Sequence, residues 1–199
     1  MDRVRLSKLL SYILRHNAAK EGIPINEDGF VLVTDLLQHQ KFKNATLDDI
    51  QQVVANCQKS RFLLKQNDTG EYVIRANQGH SMKEIKVELE VIQSPEEIPT
   101  VIHGTYLKPW STIRNLGLSR MKRQHIHFAV GKFGEEGVTS GMRATCNVFI
   151  FINAETAMKA GIQFYRSENN VILSDGIDGI IPTEYFLKVE DKNGNLLQF

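Results

Sequence analysis

Residues able to do chemistry gather at four places in this 199-residue chain. Leu14-Arg15-His16-Asn17 sets a permanent cation beside a titratable imidazole at the end of an apolar-striped segment. Arg75-Ala76-Asn77-Gln78-Gly79-His80-Ser81 is a dense run of hydrogen-bonding groups just beyond a strand-like pattern. His103-Gly104-Thr105 and His125-Ile126-His127 sit in β-branched surroundings, and Ser140-Gly141-Met142-Arg143 puts an arginine after a glycine, ahead of an apolar run. Taken singly, each has a plain structural reading: a solvated charge with a core-edge histidine, a polar loop closing a hairpin, histidines on one strand face, a surface turn with an ion pair. Arg15, Arg75 and Arg143 mean more together, because a planar guanidinium grips phosphate oxygens in pairs and stays charged at any working pH. Three of them suit a phosphate monoester. Strand alternation would put His125 and His127 on one face, but no neighbouring carboxylate or thiolate completes a ligand set, so no metal is expected. The chain has no GxxxxGK[ST] loop, no GxGxxG between strand and helix and no GxSxG elbow, which disfavours P-loop, Rossmann and serine-hydrolase chemistry.

The elements that must position these groups follow from periodicity. Leu6, Leu9, Leu10, Ile13 and Leu14 define a first amphipathic helix whose last turn carries Arg15 and His16, with Asn17 as its expected C-terminal cap. Residues 33–37 read as a short second helix, and Thr46-x-x-Asp49 is a capping box opening a third. Residues 61–64 and 71–75 flank Asn67-Asp68-Thr69-Gly70, a hairpin signature. Three helices followed by a hairpin is the winged-helix order. Past the expected connection at Ser94-Pro95-Glu96-Glu97-Ile98-Pro99, short β-branched runs at 101–103, 125–128, 148–152 and 171–173 alternate with helical patterns at 110–116 and 154–160. The fold class expected is therefore α+β, with one lobe over 1–92 and another over 93–199.

Composition sets the outer bounds. A hydrophobic content of 42% supports folded domains, and 24 basic against 23 acidic residues leave a net charge of +1, so any polyanion site must be local. No apolar run approaches the roughly 18 residues needed to span a bilayer, and no secretory leader is visible, so the cytoplasm or nucleus is the expected location and no membrane a partner. Cys57 and Cys146 stand far apart, outside any CxxC spacing, and are expected as buried thiols.

The motifs in combination resemble one family. Leu6-Ser7-Lys8-x-Leu10-Ser11-Tyr12-x-Leu14-Arg15-His16, Asp28-Gly29-Phe30, Ile74-Arg75-Ala76-Asn77-Gln78-Gly79-His80-Ser81, His103-Gly104-Thr105, His125-Ile126-His127 and Ser140-Gly141-Met142-Arg143 occur in the order of the NAD-dependent RNA (tRNA) 2′-phosphotransferases. The resemblance spans essentially the whole chain. It implies a winged-helix-like RNA-binding lobe joined to a C-terminal ADP-ribosyltransferase-like, NAD-binding lobe. It also implies an enzyme acting as a monomer on RNA that bears an internal 2′-phosphate, such as a spliced tRNA, with NAD as a consumed cosubstrate and no metal. In that reaction the 2′-phosphate displaces nicotinamide from NAD, and the ribose 2″-hydroxyl of the 2′-phospho-ADP-ribosyl RNA then attacks the phosphate. The products are 2′-hydroxyl RNA and ADP-ribose 1″,2″-cyclic phosphate. By resemblance Arg15, His16, Arg75 and Arg143 are catalytic, and His103, Gly104, Thr105, His127 and Ser140 bind NAD. The glutamate found in many ADP-ribosyltransferases falls on Val171, a departure that argues against activation of a protein hydroxyl. Two other readings stay open: an ADP-ribosyltransferase that caps terminal nucleic-acid phosphates, and a non-catalytic winged-helix nucleic-acid-binding protein.

Overall fold

The stripe of Leu6, Leu10, Ile13 and Leu14 is fully buried, and the helix it organises, α1 (Arg3–Tyr12), starts where the Asp2 carboxylate accepts from the Arg5 amide at 2.9 Å. The computed structural model describes every residue except Glu136, Gly137 and Thr139. β1 (Val31–Leu32) runs straight into α2 (Val33–Gln38). α3 (Leu47–Ala55) opens on the expected capping box, with Thr46 Oγ1 accepting from the Asp49 amide at 3.2 Å and Asp49 Oδ2 accepting from the Thr46 amide at 2.9 Å. β2 (Phe62–Gln66) and β3 (Tyr72–Ala76) form the hairpin, with Leu63 opposite Arg75. β1 pairs with the other side of β3, so the sheet order is β1-β3-β2, all antiparallel. Phe42, Ile50, Leu36 and Ile74 complete the core that the α1 stripe begins.

Chain contacts separate two compact units, Met1–Glu88 and Leu89–Phe199. The Ser94–Pro99 stretch, expected as a connection, folds inside the second. Ser94 caps a 3-10 turn over Pro95–Glu97, its amide donating to Glu97 Oε1 at 2.9 Å, and Ile98 is buried in that unit's core. Proline at the first position of a capped turn is an ordinary helix start, which composition alone does not distinguish from a linker.

The second unit runs β4 (Glu90–Val91), β5 (Ile102–Thr105), α4 (Leu107–Leu116), β6 (Leu118–Ser119), β7 (Ile126–Phe128), β8 (Val148–Ile152), α5 (Ala154–Lys159), β9 (Phe164–Arg166), β10 (Ile172–Ser174), β11 (Ile180–Ile181) and β12 (Phe186–Asp191). Its sheets are ordered β4-β9-β10-β7, β12-β8-β5 and β11-β6, again antiparallel throughout. Mixed helices and antiparallel sheets place the chain in the α+β class. Ile102 and Ala129 exchange backbone hydrogen bonds at 3.0 and 2.8 Å, which ties the end of β7 to β5. Phe128, Phe164, Ile172, Val148 and Val189 fill the space between the sheets. β12 carries no sequence signal of a strand at its charged end. Its Glu190 is nonetheless buried, because Lys132 and Lys188 each donate to its carboxylate at 2.6 Å and hold its pKa below the usual range.

Candidate active site

In the first unit Arg15 and His16 sit on an irregular helix end. Beyond α1 the chain continues as a π-helical turn over Ile13–Asn17, closed by the Ala18 amide donating to the Ile13 carbonyl at 2.9 Å. Asn17 is therefore not a helix cap. It lies inside the wider turn and its side chain donates to the Tyr12 carbonyl, while the left-handed residue that ends the segment is Gly22. A wider turn rotates Arg15 and His16 relative to an ideal helix, and such turns are frequent at functional sites.

What fixes that rotation is the 75–81 segment. The Ser81 amide donates to the Arg15 carbonyl at 2.9 Å, and the Ser81 hydroxyl lies 3.0 Å from His16 Nδ1. Gly79, at φ +90°, lies beside the Arg15 side chain, where a Cβ would stand in ordinary van der Waals contact, 3.5 Å from Arg15 Cδ and Nε. β3 itself packs on the π-helical turn, and Arg75 projects from it with its guanidinium carbon 4.8 Å from the Phe30 ring centroid. Lys65 lies 4.7 Å from the same ring. The Asp28-Gly29-Phe30 turn thus supplies an aromatic platform under the arginine. Asn77 anchors the loop, its amide donating to the Arg61 carbonyl at 2.9 Å and its side chain to the Ser60 carbonyl at 2.7 Å. Arg15, His16 and Arg75 are hence brought onto one construction, the π-helical turn and the segment leaving β3.

The second unit holds the other residues. His103 Nδ1 donates to the His127 carbonyl at 2.8 Å, since that oxygen can only accept. Burial, opposed by that hydrogen bond and joined by the charge of Arg123, holds the His103 pKa below its ordinary 6.5. The imidazole is neutral near pH 7 and Nε2 is the acceptor. His127 is buried on β7, with Arg123 Nη1 3.5 Å from its Nδ1. His125 lies before the strand and has different partners, Asp175 at 3.4 Å and the Tyr165 ring at 5.7 Å between centroids. Desolvation lowers its pKa, Asp175 acting in the opposite sense. Among the described residues no group of three or more His, Cys, Asp or Glu could hold a metal ion.

Two glycines make this unit's motifs converge. At Gly104 a Cβ would fall 2.9 Å from Cys146 Sγ and 3.0 Å from Met142 Cβ, so the strand and the loop carrying Arg143 can meet only over glycine. Gly141, at φ +96°, is tighter: a Cβ would stand 2.6 Å from Ala129 Cα. Ile102, Ala129, Met142 and Cys146 form the small apolar cluster that results. Ser140 is buried, donating to the Asn169 carbonyl at 2.9 Å, and Thr105 is buried at the end of β5. Arg143 is exposed. It stands near enough to Arg123 that, after desolvation, its charge lowers the Arg123 pKa. Val171 is fully buried, its carbonyl accepting from the Ser167 amide at 3.0 Å. Cys146 is buried as expected, but Cys57 is half-buried, its sulfur accepting from Arg61 Nη1 at 3.3 Å.

Sequence reasoning passed over Arg123, whose signal was its position four residues before His127. Phe30 was quoted in the Asp28-Gly29-Phe30 motif, but its place under Arg75 had no signal, because a ring under a guanidinium is a contact between distant segments.

The profile of the family described as "RNA 2'-phosphotransferase, Tpt1 / KptA family" matches residues 1–176. The Danio rerio protein named tRNA 2'-phosphotransferase 1 is 47% identical over 191 residues, covering 94% of this chain and 85% of its own. The Homo sapiens protein of the same name is 46% identical over 187 residues, 92% of this chain and 74% of its own. A Schizosaccharomyces pombe relative is 42% identical over 196 residues; that match covers 98% of this chain but about half, 53%, of the relative's length.

Proposed function

The chain belongs to the RNA 2′-phosphotransferase, Tpt1/KptA family, and from that premise we propose that it removes an internal 2′-phosphate from RNA, of the kind left at a tRNA splice junction, by transferring it to NAD. In this reading the first unit, expected from the sequence as residues 1–92 and ending in the structure at Glu88, is a winged-helix-like RNA-binding lobe, supported by the order α1, β1, α2, α3, β2, β3. The second unit, from Leu89 to Phe199, is an ADP-ribosyltransferase-like lobe that binds NAD. The protein works in the cytoplasm or nucleus, as a monomer.

The observation that carries the reading is the fastening of Arg15 and His16 to Gly79 and Ser81, on the segment that begins at Arg75. Two guanidiniums and an imidazole set on one rigid support suit an anion with several oxygens. In the first step the phosphate is already an anion and needs orientation behind the nicotinamide leaving group more than activation. A P–O oxygen bonds to ribose C1″ as the C1″–N bond breaks and nicotinamide leaves. In the second step the 2″-hydroxyl oxygen bonds to phosphorus and the bond to the RNA 2′-oxygen breaks. Arg15, Arg75 and Arg143 stabilise the charge on the phosphoryl oxygens, and His16 donates a hydrogen bond or a proton toward the departing oxygen.

His103 suits the NAD side as a neutral acceptor. Its Nδ1–H is committed to the His127 carbonyl, so Nε2 can take a hydrogen bond from a ribose hydroxyl or a carboxamide N–H. Gly104, Thr105, His127 and Ser140 complete that subsite, with glycine allowing close approach of backbone to ligand. Mass analysis of a 2′-phosphorylated RNA incubated with NAD tests the proposal. It expects 2′-hydroxyl RNA, nicotinamide and ADP-ribose cyclic phosphate; an RNA that retains ADP-ribose as the final product, or no turnover, overturns it.

A further inference from the structure

We infer that a groove on the first unit, between α1 and the segment that follows α3, holds the sugar-phosphate backbone of the RNA strand flanking the reactive 2′-phosphate. The groove has a volume of about 580 Å³. Arg3, Ser7, Lys8 and Ser11 line it from α1, and Lys59 and Arg61 from the opposite wall. Its lining holds four cations and no carboxylate, in a protein whose overall charge is only +1. Local concentration of positive charge in a cleft, with small hydroxyls between the cations, is the chemistry that phosphate backbones recruit.

Arg3 and Arg61 are held by side-chain hydrogen bonds. Arg3 donates to the Gln52 side chain, and Arg61 Nη1 donates to Cys57 Sγ at 3.3 Å. From Arg3 to Ser11 the helix rises about 12 Å, a track rather than a point site. Its direction matters most. Ser11 lies one turn before Arg15 on the same continuous helical segment, and the Arg61 carbonyl accepts from the Asn77 amide of the loop that follows Arg75. Both walls of the groove therefore run into the two pieces of chain that carry Arg15, His16 and Arg75. A strand whose 2′-phosphate lay against those residues would continue along the groove. This inference rests on the proposed RNA reaction for its substrate, but not for its binding test.

The test uses the full chain and a fluorescein-labelled 12-nucleotide RNA without a 2′-phosphate, so that binding is read by anisotropy independently of turnover. Lys8→Glu and the pair Lys8→Glu/Lys59→Glu are compared with Lys20→Glu, which lies on the exposed surface outside the groove. The double variant should lose tenfold or more in affinity at low salt, and its log–log salt slope should be shallower by about 1.4, two phosphate contacts on single-stranded RNA. Lys8→Glu, at an exposed helix position, should lose part of this with the far-ultraviolet spectrum unchanged, and Lys20→Glu should bind as wild type. In turnover, kcat/KM for a 2′-phosphorylated 12-mer should fall at least tenfold more than kcat/KM for a 2′-phosphorylated dinucleotide, which is too short to enter the track. Equal losses on the two substrates, unchanged 12-mer affinity, or equally tight binding of poly-glutamate would overturn the groove assignment. Wild-type binding that depends on Lys8 and Lys59, with no turnover of either substrate, would instead uphold the groove and overturn the proposed reaction.

Discussion

His16 and Arg75 are the residues at which the two chemical steps can be told apart. If the arginine–histidine set serves phosphoryl transfer, His16→Ala or Arg75→Ala should slow the second step more than the first, and a 2′-phospho-ADP-ribosyl RNA should build up. Losing one oriented cationic donor costs about 3 kcal/mol, a slowing of roughly a hundredfold. A quenched time course with labelled RNA on a denaturing gel reads this directly; equal slowing of substrate loss and product formation, with no slower-migrating species, would refute the division. His103 carries a pH signature. Burial keeps its folded pKa below 6.5, so the neutral form persists to pH values where an unfolded histidine is already protonated. KM for NAD should stay flat from about pH 8 down to 6.5 and rise only on further acidification. The stability that neutral His103 contributes is fully present above 6.5 and is lost as pH falls through the window beneath it. A KM that climbs between pH 8 and 7 would show that His103 is not the acceptor. His103→Gln, which keeps an acceptor, should raise KM for NAD less than His103→Ala.

At the scale of elements, Gly141 and Gly134 make a controlled comparison, both with φ +96°. Alanine at Gly134 meets nothing within 4 Å and should cost only the left-handed backbone strain, about 1–2 kcal/mol. Alanine at Gly141 adds a clash with the β7 backbone, so Gly141→Ala should cost about 3 kcal/mol and lower activity at least tenfold by moving Arg143. Thermal denaturation and single-turnover rates of the two variants check both expectations. The helices, the hairpin and the capping box were legible in the sequence because each is a local pattern with a local cause. The π-helical turn was not, since its register is decided by Ser81 and Gly79, which the chain brings back more than sixty residues later. β9 and β12 were equally hidden: a strand of three residues, and one ending in Glu190 and Asp191, exist only because β10 and β8 offer them an edge. The site was legible by residue type, as Arg15, His16, Arg75 and His103 were all conspicuous. Its orienting contacts were not, because Phe30 under Arg75 and the His127 carbonyl on His103 leave no spacing to read.

For the molecule as a whole, a near-zero net charge makes ionic strength a sharp probe of where phosphate is bound. Raising salt from 50 to 200 mM should lower kcat/KM for 2′-phosphorylated RNA, while KM for NAD should change less, and an RNA dependence that is flat over this range would contradict a phosphate-centred site. Turnover should survive exhaustive dialysis against a chelator, as arginines supply the positive charge; activity lost on dialysis and restored by one particular metal would overturn that expectation. One feature also constrains how this chain can change its length. The widened turn at Ile13–Asn17 accommodates one residue more than an α-helix would, so it sets the direction of the two side chains inside it, Arg15 and His16, relative to the buried stripe of α1. Removing Asn17 would let the turn relax to ordinary pitch, which takes up the missing residue and leaves the chain beyond it in phase. The core then stays packed while Arg15 and His16 lose their register with Ser81. Insertions and deletions are therefore far more hazardous in these five positions than substitutions on the exposed side of the same helix, and a folded but inactive single-residue deletion is the outcome to look for.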